Sequence, residues 1–595
     1  MALTQEQTTK YEALFKKYPV AISHLHQQLI DNQLGLVLGA GIGQEIGFPN
    51  WKELIYEIAV SNDVEGTALF NNPEKRTVTS QMLFQLFKQK YLSTENGLNT
   101  YSHYGDIELR KKWKELVRSV LYAKVSNDPG EWIKSCPYLL SLIKIIQNFG
   151  TMTVTYNFDD TIERLLHKNK KTQSSRGYTV VWDTNVQTEK RPNIVYHPNG
   201  YLPRKKSEFT SQQLIFLEDT FEDQLVDSFN GHYNALHNYY SSKTCLFLGI
   251  SLNDHTLKHM LYMNAKKCYG HMHYLVQYTK NHSKDKTKEQ SLLLDTETKT
   301  NFDIYNLYTL YLTSDEIDTL LSLIQLPPLE FNQICRNMIK IRKFFAMGAV
   351  AAGKSTTVNQ YKCFLTFDEW LEELPDDMEK APSAINAKRE KEIDIWIAEQ
   401  ISRKNDNLNK ETLDRLPCIA VIDRTPLDAF AFFDNNLMIP PDNETQSEKA
   451  AREKKLNDLW KNKAKLHQSK HPHNSPLVGG KIVFLRGDID EMEKRAKQKF
   501  REYGQTDLKT QQNELLYIAE NLKAIYGDNS VAVIDVTNKS IEQVTKEVAE
   551  IIYFKEYAEV DFQKALESII KKGRNFNETK ALHCRAVIQP SRKNL

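Results

Sequence analysis

Short apolar runs that end in polar or glycine-rich turns recur along this chain. In the first half they lie at Leu34–Leu38, Thr151–Thr155, Asn193–Tyr196 and Thr244–Leu248. Runs of this length, rich in β-branched residues, indicate buried strands, and alternation of strands with helices is typical of a parallel sheet. The first half is therefore predicted to be an α/β domain with a doubly wound parallel sheet.

A mostly helical stretch separates the first two of these strands. Apolar residues recur there at three- and four-residue spacing over Leu109–Ala123 and Tyr138–Phe149. Residues from about 52 to 150 are predicted to form a helical insertion that covers the first ligand site. A final helix at Asp315–Ile324 completes a predicted first domain over residues 1–326.

The second half repeats the alternation of strands and helices. The Pro327-Pro328 pair is predicted to mark the domain boundary. A second α/β domain is expected over residues 336–555, with a charged insertion at Asn443–Asn474 and a helical, basic tail over 556–595. Its predicted strands and last helix are Lys343–Met347, Pro417–Ile422, Lys481–Leu485, Val531–Asp535 and Ile541–Ile552.

Composition narrows the class of protein. The chain has 595 residues, too many for one hydrophobic core, and a formal net charge of +2, which argues against a nucleic-acid partner. Met1–Tyr18 has no apolar leader, and no apolar run approaches the roughly 18 residues of a membrane span, so we expect a cytoplasmic protein. The seven cysteines are widely spaced without a C-x-x-C pair, so neither zinc nor disulfides are expected.

A glycine-rich turn follows the first predicted strand. Gly39-Ala40-Gly41-Ile42-Gly43 leads into the pattern Gly47-Phe48-Pro-Asn-Trp51. Glycines at this point allow backbone N–H groups to approach a pyrophosphate closely. A dinucleotide is the predicted ligand, and an ordinary tight turn is the alternative.

Polar residues follow the other predicted strands of the first domain. In open α/β sheets the ligand crevice lies at the carboxyl ends of the strands, so these residues are placed where chemistry is expected. A helix-capping role for Asp159 or Asp160, and a structural role for His197 in its Pro/Gly turn, are the alternatives. The candidate residues are Asn157, Asp159, His197, Gly249, Ser251 and Asp254.

The order and spacing of these motifs resemble those of the sirtuin superfamily, over roughly Gly35 to Ile324. The resemblance is carried by Gly39–Ile42, Gly47-Phe-Pro, Thr155–Asp159, His197–Gly200 and Gly249–Ser251. In particular they resemble the sirtuin-like domains of bacterial antiviral defence proteins, which have a Gly-x-Pro-x-Trp pattern like Gly47–Trp51 and an Asp like Asp254.

This resemblance implies an NAD site. Asn157 would contact the nicotinamide ribose and position a water, with Asp159 beside it, and His197 would act as the base. Gly43 stands where the family usually has Ser. Asn199 stands where the family often has His, so the base is either His197 or missing. The residues implied to bind NAD are Gly39, Ala40, Gly41, Ile42, Phe48, Gly249, Ser251 and Asp254.

The second half contains a phosphate-binding loop. In Gly348-Ala-Val-Ala-Ala-Gly353-Lys354-Ser355-Thr356 the backbone N–H groups would cradle phosphates, Lys354 would reach the β/γ oxygens and Ser355 would bind Mg²⁺. Asp423 ends the next predicted strand as a second Mg²⁺ ligand. The remaining candidate nucleotide-binding residues are the cations Arg424, Arg495, Lys499 and Arg501.

These motifs resemble the deoxynucleoside kinase and thymidylate kinase families. Asp423-Arg424 is similar to their D/E-R motif, and the stretch from Leu485 to Arg501 is similar to their lid, with Lys499 where Arg is common. Asp368 is the candidate general base. The resemblance implies a kinase-like domain that binds ATP or another nucleotide with Mg²⁺, and a kinase activity of its own.

Together the two resemblances suggest a two-domain NAD hydrolase of antiviral defence, gated by a nucleotide in the second domain. Hydrolysis is expected rather than deacylation because the four-cysteine zinc module of sirtuin deacylases is missing. A metabolic nucleotide kinase with an NAD-sensing first half is the other alternative. We expect a homo-oligomer without membrane or nucleic-acid partners.

Overall fold

The structure, a computed structural model, divides into two compact units, Met1–Ile334 and Cys335–Leu595. It describes residues 4–61, 78–93, 103–149, 152–168, 178–182, 193–206, 210–211, 214–279, 288–335, 342–375, 380, 385–414, 419–432, 437, 439, 441, 443–471 and 475–577. Among the helices of these residues, none has both the length and the apolar content needed to span a bilayer.

The first unit is built on a sheet of seven parallel strands in the order β3-β4-β2-β1-β5-β6-β7. The strands are β1 (Leu34–Leu38), β2 (Thr153–Thr155), β3 (Thr179–Val181), β4 (Ile194–Tyr196), β5 (Thr244–Leu248), β6 (His273–Tyr278) and β7 (Leu307–Leu312). All five residues of β1 are buried, as expected for a central strand of a parallel sheet whose two faces are both covered.

The central strand β1 lies at a change of direction in the strand order. It pairs with β2 on one side, with Leu36 beside Thr153, and with β5 on the other side, with Leu36 beside Leu246. The chain therefore leaves β1 toward β2 and later returns to the opposite side. In open α/β sheets a ligand crevice forms outside the carboxyl ends of the strands at such a switch point.

Fourteen α-helices of the described residues accompany this sheet. They are α1 (Gln5–Lys17), α2 (Pro19–Ile30), α3 (Trp51–Ser61), α4 (Ser80–Ser93), α5 (His103–Leu121), α6 (Pro129–Ser135), α7 (Tyr138–Phe149), α8 (Thr161–Lys168), α9 (Glu218–Phe229), α10 (Asn234–Ser242), α11 (His255–Lys267), α12 (Lys288–Tyr305), α13 (Ser314–Ile324) and α14 (Pro328–Cys335). A 3₁₀ helix, Ala40–Ile46, follows β1.

The insertion between β1 and β2 contributes helices α3 to α7. Its described residues contact the loops at the carboxyl end of the sheet, since the Tyr138 hydroxyl donates to the Ile42 carbonyl over 3.1 Å. The Tyr122 hydroxyl likewise donates to the Asp160 carboxylate over 2.9 Å. Residues 62–77, 94–102 and 150 of the predicted insertion lie outside the described residues.

The first unit continues past the Pro327-Pro328 pair, where the sequence predicts a boundary. Pro328 begins α14, since proline fits the first turn of a helix. Phe331 of this helix is fully buried and stacks on His26, with ring centroids 3.7 Å apart. The helix is therefore part of the packing of the first unit.

The second unit is a parallel sheet of five strands in the order β12-β11-β8-β10-β9. The strands are β8 (Arg342–Met347), β9 (Leu365–Phe367), β10 (Ile419–Asp423), β11 (Lys481–Arg486) and β12 (Val531–Asp535). The helices are α15 (Lys354–Val358), α16 (Ala387–Asp414), α17 (Gln446–Lys470), α18 (Ile489–Gln498), α19 (Gln505–Tyr526), α20 (Ile541–Phe554) and α21 (Phe562–Lys572), with 3₁₀ helices at Asp428–Ala431, Asp528–Ser530 and Gly573–Asn575.

The charged stretch predicted as an insertion forms the long helix α17, which packs into this unit. Its Trp460 is fully buried, 5.2 Å from Phe430 and 6.5 Å from Phe576 between ring centroids. Phe576 lies in the predicted tail, so the first part of that tail also belongs to the core. Residues 578–595 lie outside the described part of the chain.

Candidate functional site

The loops after β1 and β5 touch at the switch point of the first sheet. Gly39 N–H donates to the Leu248 carbonyl over 2.9 Å, and Gly41 N–H donates to the Gly249 carbonyl over 2.8 Å. Gly249 has a φ of +67°, and a Cβ atom there would lie 2.5 Å from the backbone nitrogen of Ile42. Only glycine allows the two loops to approach this closely.

The structure also accounts for glycine at position 43. A Cβ atom on Gly43 would lie 3.0 Å from the ring of Phe48, which is itself buried and edge-on to Tyr122 at 5.5 Å. A serine here would therefore press on the Phe48 ring. Of the other predicted loop residues, Ile42 is buried and Ala40 is exposed.

Asn157 joins the loop after β2 to the loop after β1. Its side-chain Nδ2 donates to the Gly39 carbonyl over 3.1 Å, and its backbone N–H donates to the Thr155 hydroxyl over 3.3 Å. Only 9 % of the residue is exposed. The structure thus brings this predicted catalytic residue directly against the predicted NAD loop.

His197 lies behind Asn157 and is fully buried. Its Nδ1 lies 2.9 Å from the Asn157 carbonyl oxygen, and its Nε2 lies 2.8 Å from the Glu163 carboxylate. Burial by itself would lower the pKa of His197, but the attraction of Glu163 outweighs it and the pKa is raised. Both ring nitrogens are therefore occupied by protein contacts. The role of His197 as the base stays a prediction.

Asn199, at the other position considered for the base, is buried in a set of polar contacts. Its Oδ1 accepts from Gln224 over 3.1 Å, and its Nδ2 donates to the Tyr156 carbonyl over 3.3 Å. It is also a hydrogen-bond neighbour of Asp254, whose pKa is raised by burial. Asp254 caps α11 by accepting the Leu257 N–H over 2.9 Å.

Asp159 lies at the start of α8, where it accepts the Thr161 N–H over 3.0 Å. Burial raises the pKa of Asp159 to about 6. The helix-capping contact considered for this residue is therefore present, next to the Asn157 loop. Ser251, by contrast, is exposed and lies on a polar cavity with Lys258 and Gln277.

Comparison with known proteins identifies a family that is similar to part of the first unit. Residues 151–300 match the family model of the SIR2-like domain. The matched range includes Asn157, Asp159, His197 and the loop after β5, whereas the glycine loop after β1 precedes it.

One relative is the NAD(+) hydrolase ThsA of Acinetobacter baumannii (strain 532279), which is 23% identical over 245 residues. The match covers 41% of this chain and 41% of the relative, so this chain spans about two fifths of that protein's length.

The predicted phosphate loop of the second unit connects β8 to α15. Lys354 is buried, and its Nζ donates to the Gly348 and Ala349 carbonyls, each over 2.9 Å. Burial lowers the pKa of this lysine. Gly353 has a φ of +94°, and Ser355 and Thr356, both partly buried, begin α15.

Asp423, at the end of β10, has two buried carboxylate oxygens that make no hydrogen bond of normal geometry within the described residues. Burial raises its pKa, and Lys354 and the Ser355 hydroxyl act against this shift. Unpartnered carboxylate oxygens beside a hydroxyl suit Mg²⁺, which prefers oxygen ligands and keeps several waters. Among the described residues no group of three or more His, Cys, Asp or Glu side chains is arranged to hold a metal.

A cavity beside the phosphate loop contains a buried ion pair that the sequence did not reveal. Arg424 has a φ of +65°, and its Nε lies 2.6 Å from the Glu369 carboxylate. Burial by itself would raise the pKa of Glu369, but Arg424, Lys354 and Arg501 lower it to about 2. Glu369 lines the cavity with Arg424, whereas its neighbour Asp368, the predicted base, is exposed.

The three predicted lid cations differ in their surroundings. Arg501 lines the cavity with Glu369 and Arg424. Arg495 pairs with Glu491 on its own helix over 2.9 Å, and the Lys499 side chain is exposed. Arg501 is thus the lid cation that the structure brings to the cavity.

Proposed function

We propose that the first unit hydrolyses NAD and releases nicotinamide. The observation that carries this proposal is the Asn157 side chain, which is fixed to the glycine loop at the switch point of a SIR2-like sheet. The similarity to a protein named as an NAD(+) hydrolase supports the same reaction. Hydrolysis is preferred to deacylation because the sequence has no pair of cysteines in the C-x-x-C spacing of a zinc module.

The proposed chemistry needs few groups. Breaking the bond between ribose and nicotinamide creates a cation on the ribose like that of glycoside hydrolysis. Nicotinamide already carries positive charge in NAD and leaves as a neutral molecule, so no strong acid is required. The loops at Gly39–Ile42 and Gly249–Asp254, with Phe48, would hold NAD, and Asn157 would fix the ribose and orient the attacking water.

The test compares two buried asparagines of the first unit. Asn157→Ala should abolish nicotinamide release from NAD by the purified full chain. Asn264→Ala is the matched control, since this residue is 5 % exposed and its amide lies 2.9 Å from His273. His273 begins β6 and so lies at the amino ends of the strands, whereas Asn157 follows the carboxyl end of β2. Full turnover by the Asn157 variant would contradict the proposal, and loss of turnover in both variants would indicate a folding defect instead.

For the second unit we propose that a nucleotide or nucleoside phosphate binds the Gly348–Thr356 loop and controls NAD hydrolysis. An uncontrolled NAD hydrolase would exhaust its own cell, so a gate is needed, and an antiviral role would follow if infection changes the nucleotide. Mg²⁺ would be held by Ser355 and Asp423, and it would neutralise phosphate charge when bound. What supports this part is the pair of unpartnered Asp423 oxygens next to the loop.

Phosphoryl transfer by the second unit is a second candidate function. It is favoured by the cavity in which Glu369 and Arg424 face each other beside the phosphate loop. In this reading Glu369, held ionised by Arg424, takes the base role first considered for Asp368. A Glu369→Gln variant should then keep nucleotide binding and lose transfer.

A further inference from the structure

A buried carboxylate–imidazole pair lies directly behind the proposed catalytic asparagine. Glu163 belongs to α8 and His197 follows β4, and their side chains are 5% and 0% exposed. Nε2 of His197 lies 2.8 Å from the Glu163 carboxylate, and Nδ1 lies 2.9 Å from the Asn157 carbonyl oxygen. A continuous chain of contacts therefore runs from Glu163 through His197 and Asn157 to Gly39.

The contact with Asn157 fixes the position of one proton. A carbonyl oxygen can only accept a hydrogen bond, so Nδ1 of His197 must be the donor. A carboxylate also only accepts, so Nε2 must donate to Glu163, and the two contacts together hold the ring in one orientation with both nitrogens protonated. The carboxylates acting on the ring are Glu163 and Asp159, and Tyr201 packs on its face at 4.7 Å between centroids.

Other buried histidines of the unit show what the carboxylate changes. His271 lies 3.0 Å from the Lys243 carbonyl, and His273 contacts the Cys245 N–H and the Asn264 amide. Burial lowers the pKa of both rings. His197 is as deeply buried, yet its pKa is raised, which is the effect of Glu163.

Asn157 is consequently held at three points. His197 binds its carbonyl, the Thr155 hydroxyl accepts from its backbone N–H, and Gly39 accepts from its side chain. The two backbone contacts fix the main chain at Asn157, and the contact with Gly39 limits rotation of the side chain. An amide that must orient a ribose and a water needs this kind of fixed support.

We infer that Glu163 and His197 are positioning residues, which fix the Asn157 backbone for NAD hydrolysis, and that His197 is not the proton acceptor. The inference rests on the proposed function of the first unit. It differs from the base role of His197 in a way that kinetics can detect.

The first test uses Glu163→Gln and Glu163→Leu in the full chain. The Gln amide can donate to a neutral Nε2 and keep Nδ1–H on the Asn157 carbonyl, so this variant should keep kcat within about threefold. Leu leaves Nε2 without a partner, so kcat should fall about tenfold to hundredfold while KM changes little. Wild-type kcat in the Leu variant would overturn the inference.

The pH profile separates positioning from base catalysis. If His197 were the base, its deprotonation would set the acid limb of kcat/KM. Glu163→Gln removes the charge that raises the His197 pKa, so that limb would move to lower pH. Positioning predicts an acid limb at the same pH in wild type and Gln variant, and a shifted limb would overturn it.

A third readout needs no turnover and separates this inference from the proposed function. In the ¹⁵N-histidine NMR spectrum of the full chain, Nδ1 of His197 should be protonated from pH 6 to pH 8 in wild type and in Glu163→Gln. A His197→Gln variant assigns the signal. An unprotonated Nδ1 would overturn the inference, whereas a wild-type chain that releases no nicotinamide would contradict only the proposed function.

Discussion

Burial determines the charge of Asp159 as strongly as any neighbour does. The side chain is 8% exposed, accepts the Thr161 N–H over 3.0 Å, and has a pKa of about 6 instead of its ordinary value of 3.8. The folded chain therefore holds this proton more tightly than the unfolded chain does. The stability that this bound proton provides to the folded chain falls as the pH rises from about 4 to about 6, and above about pH 6 none of it remains.

Asp159→Asn should remove that cost. We expect the variant to be more stable than wild type by up to about 3 kcal/mol at pH 8, and by about half as much at pH 5, where the folded carboxyl is mostly protonated. Denaturant unfolding of the first unit at the two pH values measures the difference. An equal difference at both pH values would show that Asp159 ionises without a cost in stability. If the Asp159 charge takes part in NAD hydrolysis, nicotinamide release should also fall in the variant.

Single residues also mark the limit of prediction from sequence. Asn157 could be placed near the glycine loop because both follow parallel strands, whose carboxyl ends share one edge. Glu163 and Glu369 could not be singled out, since a glutamate in a helix or a polar turn has the same local pattern as a solvated one. Each is distinguished by a contact with a residue far along the chain, Glu163 with His197 and Glu369 with Arg424.

At the scale of elements, the close approach of the loops after β1 and β5 shapes the crevice. Gly249 needs its left-handed φ of +67°, and it has no room for a side chain because Ile42 N would lie 2.5 Å from a Cβ atom. The two requirements are separate, and another glycine of the same unit shows only the first. Gly231 has a φ of +81°, and its nearest neighbour would be 3.6 Å from a Cβ atom.

We expect Gly249→Ala to destabilise the first unit more than Gly231→Ala. Both pay a backbone cost of roughly 1–2 kcal/mol for a left-handed alanine, and Gly249→Ala must in addition push the two loops apart. NAD affinity should fall in this variant alone, because the loops would no longer meet. Thermal unfolding and NAD titration of the two proteins provide the comparison, and equal effects would contradict a special role of the loop contact.

Strand prediction succeeded where an apolar run was long and bounded. The structure gives β1, β5 and β12 the bounds that the sequence predicts, since each is a five-residue run that ends at a turn. β3 and β9 have three residues each and are partly exposed, so no periodicity could reveal them. The helix α17 was hidden by its charge, because only a few of its side chains reach the core.

At the scale of the whole molecule, the proposal couples two units that each have their own sheet and core. A ligand of the second unit can alter NAD hydrolysis only if it binds the active and inactive states with different affinity. The phosphate-loop lysine provides a way to remove that ligand. Lys354 is buried against two carbonyls of its own loop.

Lys354→Ala should abolish nucleoside triphosphate binding, leave NAD binding intact, and remove the control of NAD turnover. Lys481→Ala is the matched control, because Lys481 is also buried and donates to a carbonyl, that of Glu556. Lys481 begins β11 and so lies at the amino ends of the strands, whereas the phosphate loop follows the carboxyl end of β8. Calorimetry with ATP and with NAD tests binding.

In infected cells the NAD content should fall with wild type and with the Lys481 variant, and it should hold steady with the Lys354 variant. Normal NAD loss with the Lys354 variant would contradict the nucleotide gate.

The most direct test of the central claim is the stoichiometry of NAD cleavage by the purified full chain. NAD, nicotinamide and ADP-ribose are followed by proton NMR, with a panel of nucleoside triphosphates and Mg²⁺, and with an acetyl-lysine peptide present. We predict one nicotinamide and one ADP-ribose for each NAD lost, with the peptide unchanged. NAD that persists under every nucleotide condition, or that disappears only in step with loss of the acetyl group, would contradict the account.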